Sequence, residues 1–176
     1  MDARTNQRFL GNRLAPWLSV IVVLGMLALI GCGASVSSQE EDNKQVVARF
    51  IEEFKNQANH DIVDELMTPG FIHHLKDPRL PAGRAGMKLL GEVVAGGFPD
   101  VQATVDELLA DGDTVIERTS AAATHTGNFN GISATGNKVA WTEIHIYRME
   151  NGKIAEMWSE VDLLGLLVQL GAIPGA

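Results

Sequence analysis

The sequence predicts an α+β fold, with helices first and an antiparallel sheet after them. Two observations carry this. Before Pro99 the apolar residues recur at spacings of three and four, as on a helix that covers a core, and after it they alternate, as on a half-buried strand. The alternating half is then punctuated by Asp111-Gly112-Asp113 and Asn151-Gly152, both hairpin-turn signals.

The elements follow in order. Val46, Val47, Phe50, Ile51 and Phe54 form one apolar face and predict a helix over 42–57, with Ser38 and Glu41 as its capping box. A short second helix fits 61–67, with Ile62, Val63 and Leu66 inward and Thr68-Pro69-Gly70 as its stop. Phe71-Ile72-His73-His74 reads as a short extended piece, and Pro78 and Pro81 break the chain. A third helix fits 84–94 on Met87, Leu89, Leu90, Val93 and Val94, closed by Gly96-Gly97. The first strand begins at Val101, Ala103 and Val105. Three more follow at 114–125, 138–148 and 153–161, and a short apolar helix over 163–170 stops at Gly171 and Pro174. Three helices packed on a curved four-stranded antiparallel sheet, with a short C-terminal helix, make a cone that encloses a pocket.

Composition bounds the function. The 176 residues point to one domain, and 45% hydrophobic with 20% charged residues excludes wholesale disorder. Residues 1–31 carry a net charge of +2 and the remaining 145 a net of −10. So acidic a body repels phosphate backbones, which argues against a nucleic-acid partner. A single cysteine excludes an intramolecular disulfide and a cysteine-based zinc site.

That cysteine has another reading. A basic start ending at Arg13 precedes an apolar stretch, Leu18 to Ile30, about half the ~20 residues a membrane-spanning helix needs. Leu29-Ile30-Gly31-Cys32 then resembles the bacterial lipobox, in which a small residue precedes a cysteine that is lipidated and becomes the new N-terminus. The expected organisation is a lipoprotein signal peptide over 1–31, a lipidated Cys32 with its tether over 32–41, and a folded domain over 42–176. The expected place is lipid-anchored and extracytoplasmic, at a bacterial cell membrane or outer membrane. Gly33 mildly favours the outer one, because aspartate there is the retention signal of the inner one.

Several short motifs, in order and spacing, resemble one family. They are Phe54-Lys55-Asn56-Gln57, Val63-Asp64-Glu65-Leu66, Phe71-Ile72-His73-His74, Phe98-Pro99-Asp100, Thr124-His125-Thr126-Gly127, Ile146-Tyr147-Arg148, Asn151-Gly152-Lys153-Ile154 with Trp158, and Asp162-Leu163-Leu164-Gly165 with Gln169-Leu170-Gly171. Over roughly 43–172 the chain resembles the SnoaL-like polyketide cyclase (ester cyclase) family, which has the nuclear transport factor 2-like cone fold. The resemblance implies an intramolecular aldol closure of a polyketide ester without metal or cofactor. It also implies an acid/base aspartate on the third strand, at the position His145 holds here. Histidine keeps proton exchange available near neutral pH but departs from the family pattern. The alternative is a non-catalytic module that holds a hydrophobic ligand at the cell envelope.

The candidate residues divide by face. Trp141, Glu143, His145 and Tyr147 share one face of the third strand, either as two aromatic walls and two titratable groups of a pocket or as an exposed face with a plain ion pair. The candidate catalytic set is His145, with His125 or Glu143 assisting. Candidate ligand contacts are His74, Trp141, Tyr147 and Trp158. His125 belongs at the pocket rim by resemblance, or is a strand-end histidine bonded to a loop carbonyl. His73 is expected to point to the surface. No spacing of His73, His74, His125 and His145 suits a metal, so none is expected. Asp162 is expected to cap the last helix. Ile144 and Ile146 lie on the opposite face from His145, which suits a homodimer paired sheet to sheet.

Overall fold

The computed structural model describes residues 38–75 and 77–174, so the expected signal peptide, Cys32 and most of the expected tether lie outside the described residues. Helix α1 runs over 38–50 and continues into a wider π turn, Ile51–Asn56, in which the Gln57 N–H reaches back five residues to the Glu52 carbonyl. Val47, Phe50, Ile51 and Phe54 are its buried stripe. A 3-10 turn, His60–Ile62, leads into α2, Val63–Leu66.

The chain then extends as β1, Met67–His73, where the sequence predicts the end of a helix at Met67 and a short extended piece over 71–74. β1 pairs in parallel with the last strand, Ile72 against Glu156 and His73 against Met157, with an irregularity between Met67 and Ile72. Pro69 lies in that stretch and has no N–H to give a ladder. The sheet is therefore five-stranded and mixed, not four-stranded and antiparallel.

Helix α3, Gly83–Gly97, lies close against the α1–α2 junction: a Cβ on Gly91 would stand 2.6 Å from the Phe54 ring and from His60. β2 (Gln102–Asp111) and β3 (Thr114–Thr124) form the first hairpin, and β4 (Lys138–Glu150) and β5 (Lys153–Val161) the second. Asn151 and Gly152 take φ of 52° and 72°, the left-handed pair that a two-residue hairpin turn requires. The strand order is β1-β5-β4-β3-β2. α4, Leu163–Gln169, closes the chain, and the Asp162 carboxylate accepts from the Gly165 N–H at 2.8 Å as its cap.

Two apolar clusters fill the space between sheet and helices. One gathers Phe50, Phe54, Tyr147 and Met157, the other Phe98, Phe129, Trp141 and Leu166. The 126–136 loop is fastened to the end of α3, where the Thr126 and Gly127 N–H groups donate to the Gly97 carbonyl. Only glycine fits at 127, since a Cβ there would stand 1.8 Å from the Gly96 oxygen.

Candidate active site

Strand register builds the site. β3 pairs with β4 so that Glu117 faces His145 and Thr119 faces Glu143, and β4 pairs with β5 so that His145 faces Ser159. Glu117, His145 and Ser159 thus form a row across three strands. They share the inner face with Trp141 and Tyr147 because side chains two apart point the same way. β1 adds His73 beside this row, through its pairing with Met157. The π turn supplies Lys55 from the opposite side.

Lys55 Nζ donates to Glu143 Oε2 at 2.5 Å and to Glu117 Oε1 at 3.4 Å, and lies 3.3 Å from His145 Nε2. Glu143 also accepts from the Trp141 indole N–H at 2.6 Å, and its Oε2 lies 2.8 Å from His145 Nε2. Glu117 has no solvent exposure; the Tyr147 and Thr119 hydroxyls both donate to it. His145 is 4% exposed, and its Nδ1 lies 2.9 Å from Ser159 Oγ, which also lies 2.9 Å from His73 Nε2.

Electrostatics follow from this packing. Burial by itself pushes the Glu143 carboxyl up, but the Lys55 ammonium and His145 outweigh it and hold the group well below the usual carboxylate range. Burial lowers Lys55, yet Glu143 and Glu117 more than reverse that and keep it an ammonium. Burial, then the Glu117 carboxylate, push the Tyr147 phenol well above its ordinary value, so it stays a donor. Burial, with the charges of His145 and His74, brings His73 down to about 4.

The cluster forms one end of a cavity of about 360 Å³ between the inner sheet face and α3 and α4. Lys55, His73, Glu143, His145 and Ser159 line that end, and the rest of the wall is chiefly apolar, with Phe98, Trp141, Leu90 and Leu166 on it. Glu117, Glu143 and His145 place one ligand atom each within 4.8 Å of one another, a spacing that also suits a metal ion. In this protein the Lys55 ammonium contacts all three, and so takes the place between them.

The expected site residues separate into two groups. His145, Glu143 and Trp141 are brought together on the cavity wall. Tyr147 is fully buried beneath that wall, tied to Glu117, rather than facing a ligand. His125 lies away from the cavity. Its Nδ1 is 3.0 Å from Thr135 Oγ1, its ring packs 5.2 Å from Phe98, and its buried Nε2 has no partner. The two adjacent histidines exchange the expected roles, because pairing of β1 with β5 turns His73 inward. His74 stacks on Trp158 at 4.2 Å on the outer face and bonds Glu156 at 2.7 Å. Trp158, 39% exposed, points outward because its neighbour Met157 fills the core.

Lys55, Glu117, Thr119, Ser159 and His73 were missed from sequence. Two of them had a readable signal. Glu117 alternates with Val115, Thr119 and Ala121 on an otherwise small or apolar strand face, and Lys55 stands four residues after Ile51 on the buried side of α1.

Residues 45–170 match the family described as SnoaL-like polyketide cyclase. The chain belongs to that family. Among curated proteins, this SnoaL-like protein is 25% identical over 130 residues to the aklanonic acid methyl ester cyclase DnrD of Streptomyces peucetius, covering 72% of this chain and 88% of that one. Among solved structures it is similar to AclR of Streptomyces galilaeus (TM-score 0.70, 28% identity, 78% of this chain and 85% of that one). It is also similar to TsrD of Streptomyces laurentii (TM-score 0.69, 29% identity, 76% and 98%).

Proposed function

We propose that the protein is an acid/base enzyme that needs no cofactor and removes a proton beside a carbonyl of a small, mostly apolar compound, in the manner of aldol-type ring closure. The observation that supports this reading is the Lys55–Glu143–His145 cluster at one end of an otherwise apolar cavity. An apolar wall selects and folds a hydrophobic substrate by burial. The proton is received at the histidine centre, with Glu143 stabilising the imidazolium that forms. The enolate carbon then attacks a second carbonyl of the same molecule, a C–C bond forms, and the new alkoxide takes the proton back. The Lys55 ammonium offsets the negative charge that develops in the cavity.

The relative's named substrate supplies the probe. Full-length protein is incubated with aklanonic acid methyl ester in D2O. Deuterium uptake next to a carbonyl, or an isomer of unchanged mass with a new retention time, is the expected outcome. A stoichiometric complex with neither exchange nor isomer would identify a ligand-binding module instead and sink the enzyme reading.

The same proposal places the domain outside the cytoplasm, anchored by a lipid on Cys32, on the strength of the basic start, the short apolar core and the Leu29-Ile30-Gly31-Cys32 sequence. Incorporation of an alkynyl palmitate probe that disappears in Cys32→Ser is the expected result. The exposed Ile116, Ile144 and Ile146 on the outer sheet face support pairing with a second copy.

A further inference from the structure

Ser159 Oγ lies between two histidine rings, 2.9 Å from His73 Nε2 and 2.9 Å from His145 Nδ1. A hydroxyl has one proton, so it donates to one ring and accepts from the other. Which way round is decided at the far side of His145. There Nε2 lies 3.3 Å from the Lys55 ammonium, which can only donate, and 2.8 Å from Glu143 Oε2, which Lys55 holds ionised and which can only accept; the shorter contact, to the carboxylate, sets the proton. Nε2 therefore carries the proton, and Nδ1 of the neutral ring is an acceptor. Ser159 must then donate to His145 and accept from His73 Nε2–H. This leaves His73 Nδ1 as the unprotonated nitrogen. It has no hydrogen-bond partner among the described residues and is not a buried atom, and His73 lines the cavity.

We propose that His73, Ser159 and His145 form a proton relay in which His73 Nδ1 takes the substrate's proton and His145 holds its equivalent beside Glu143. The proposal rests on the acid/base reading above. A C–H bond beside the carbonyl breaks and leaves its electron pair on the enolate. The proton bonds to His73 Nδ1, His73 passes its Nε2 proton to Ser159 Oγ, and the serine's own proton moves to His145 Nδ1. The products are a neutral His73 of opposite tautomer, a neutral serine and an imidazolium at His145. After ring closure the alkoxide recovers the proton by the reverse sequence.

The surroundings favour this direction of transfer. Burial foremost brings His73 down to about 4, so its ring, 2.9 Å from Ser159 Oγ, passes a proton on rather than keeping it. His145 has the Glu143 carboxylate in direct contact at 2.8 Å, nearer than the Lys55 ammonium at 3.3 Å, so the imidazolium forms against the negative charge. His73 is thus the catalytic group that meets substrate, and Ser159 is a positioning and relay group.

Two readouts on full-length protein test it. Nitrogen-15 spectra of the histidine rings should show neutral His145 and neutral His73 both protonated at Nε2. With aklanonic acid methyl ester in D2O, His73→Gln and Ser159→Ala should each lower kcat by about tenfold or more, with KM little changed, and Ser159→Thr should keep most of the rate because it keeps the hydroxyl. Neutral His145 protonated at Nδ1 would overturn the relay, and so would a His73→Gln rate within about twofold of wild type where its loss should reach that of a general acid/base. If wild-type protein shows no exchange at all, the acid/base reading falls, while the ring tautomers still decide whether the hydrogen-bond chain runs as described.

Discussion

His145 and His125 are the buried histidines of the described domain, and the chain surrounds them with opposite chemistry. His145 touches Glu143, Ser159 and Lys55, so both ring nitrogens meet groups that can give or take a proton. His125 packs on Phe98, meets Thr135 through Nδ1, and leaves Nε2 without a partner. Both follow the same strand pattern, and both were candidates on residue type. Burial brings a histidine indoors, but only connected charges and hydroxyls let it exchange a proton with anything. The capacity for chemistry thus belongs to the neighbours that register supplies more than to the ring itself.

The sharpest way to break this contrast is Lys55→Met. Removing the ammonium leaves Glu117 and Glu143 facing each other uncompensated, and losing one partner of a buried ion pair costs about 3–5 kcal/mol. Urea unfolding measures this; a loss under about 1 kcal/mol, the size of an ordinary surface change, would mean that the carboxylates share a proton and the cluster is not charged as described. Tyr147→Phe is the next largest. It removes a donor from the wholly buried Glu117 and should cost about 1.5–3 kcal/mol, the range for a hydrogen bond to a charged group. An unchanged denaturation midpoint would show that Thr119 and Lys55 suffice.

Acid sharpens the same contrast. The unfolded chain protonates His73 near its ordinary 6.5, whereas the folded chain does so only near 4. Between those values the unfolded state binds more protons, so stability falls as pH drops from about 6.5 to about 4. His73→Gln should flatten that part of a plot of Tm against pH. Glu143 acts lower down: its folded value is depressed, so its contribution is whole above the ordinary 4.5 and is lost as pH falls below it. The smallest effect belongs to the other histidine. His125→Leu removes a buried nitrogen that bonds nothing, at the cost of the Thr135 contacts, so stability should stay within about 1 kcal/mol. Deuterium exchange should be unchanged; its loss would put the His125 region back into the site.

Much of the architecture was legible because it is written locally. The Asn151-Gly152 turn, the cap at Asp162 and the alternation on β4 each depend on residues a few positions apart. β1 was missed because a parallel pair has no hairpin turn to announce it, and its partner β5 lies 82 residues further on at the His74–Glu156 contact. That one omission also reversed His73 and His74, since the inward side of an extended piece is undefined until its partner is known. The polar row was half visible. Trp141, Glu143 and His145 follow from the period of one strand, but Glu117 and Ser159 join them only through the register of three. Lys55 needed the helix to be docked before its charge had an address.

Lys55 reaches the cluster from the π turn, Ile51–Asn56, and this bears on how such a site is gained or lost. A substitution that rewound this turn as ordinary α-helix, with no residue removed, would rotate Lys55 and its successors by about one residue's step, ~100°. The ammonium would leave the sheet, and two carboxylates would remain behind it. An inheritable change of one codon, at a position that touches no substrate, would thus unbalance the cavity as thoroughly as mutating its own wall.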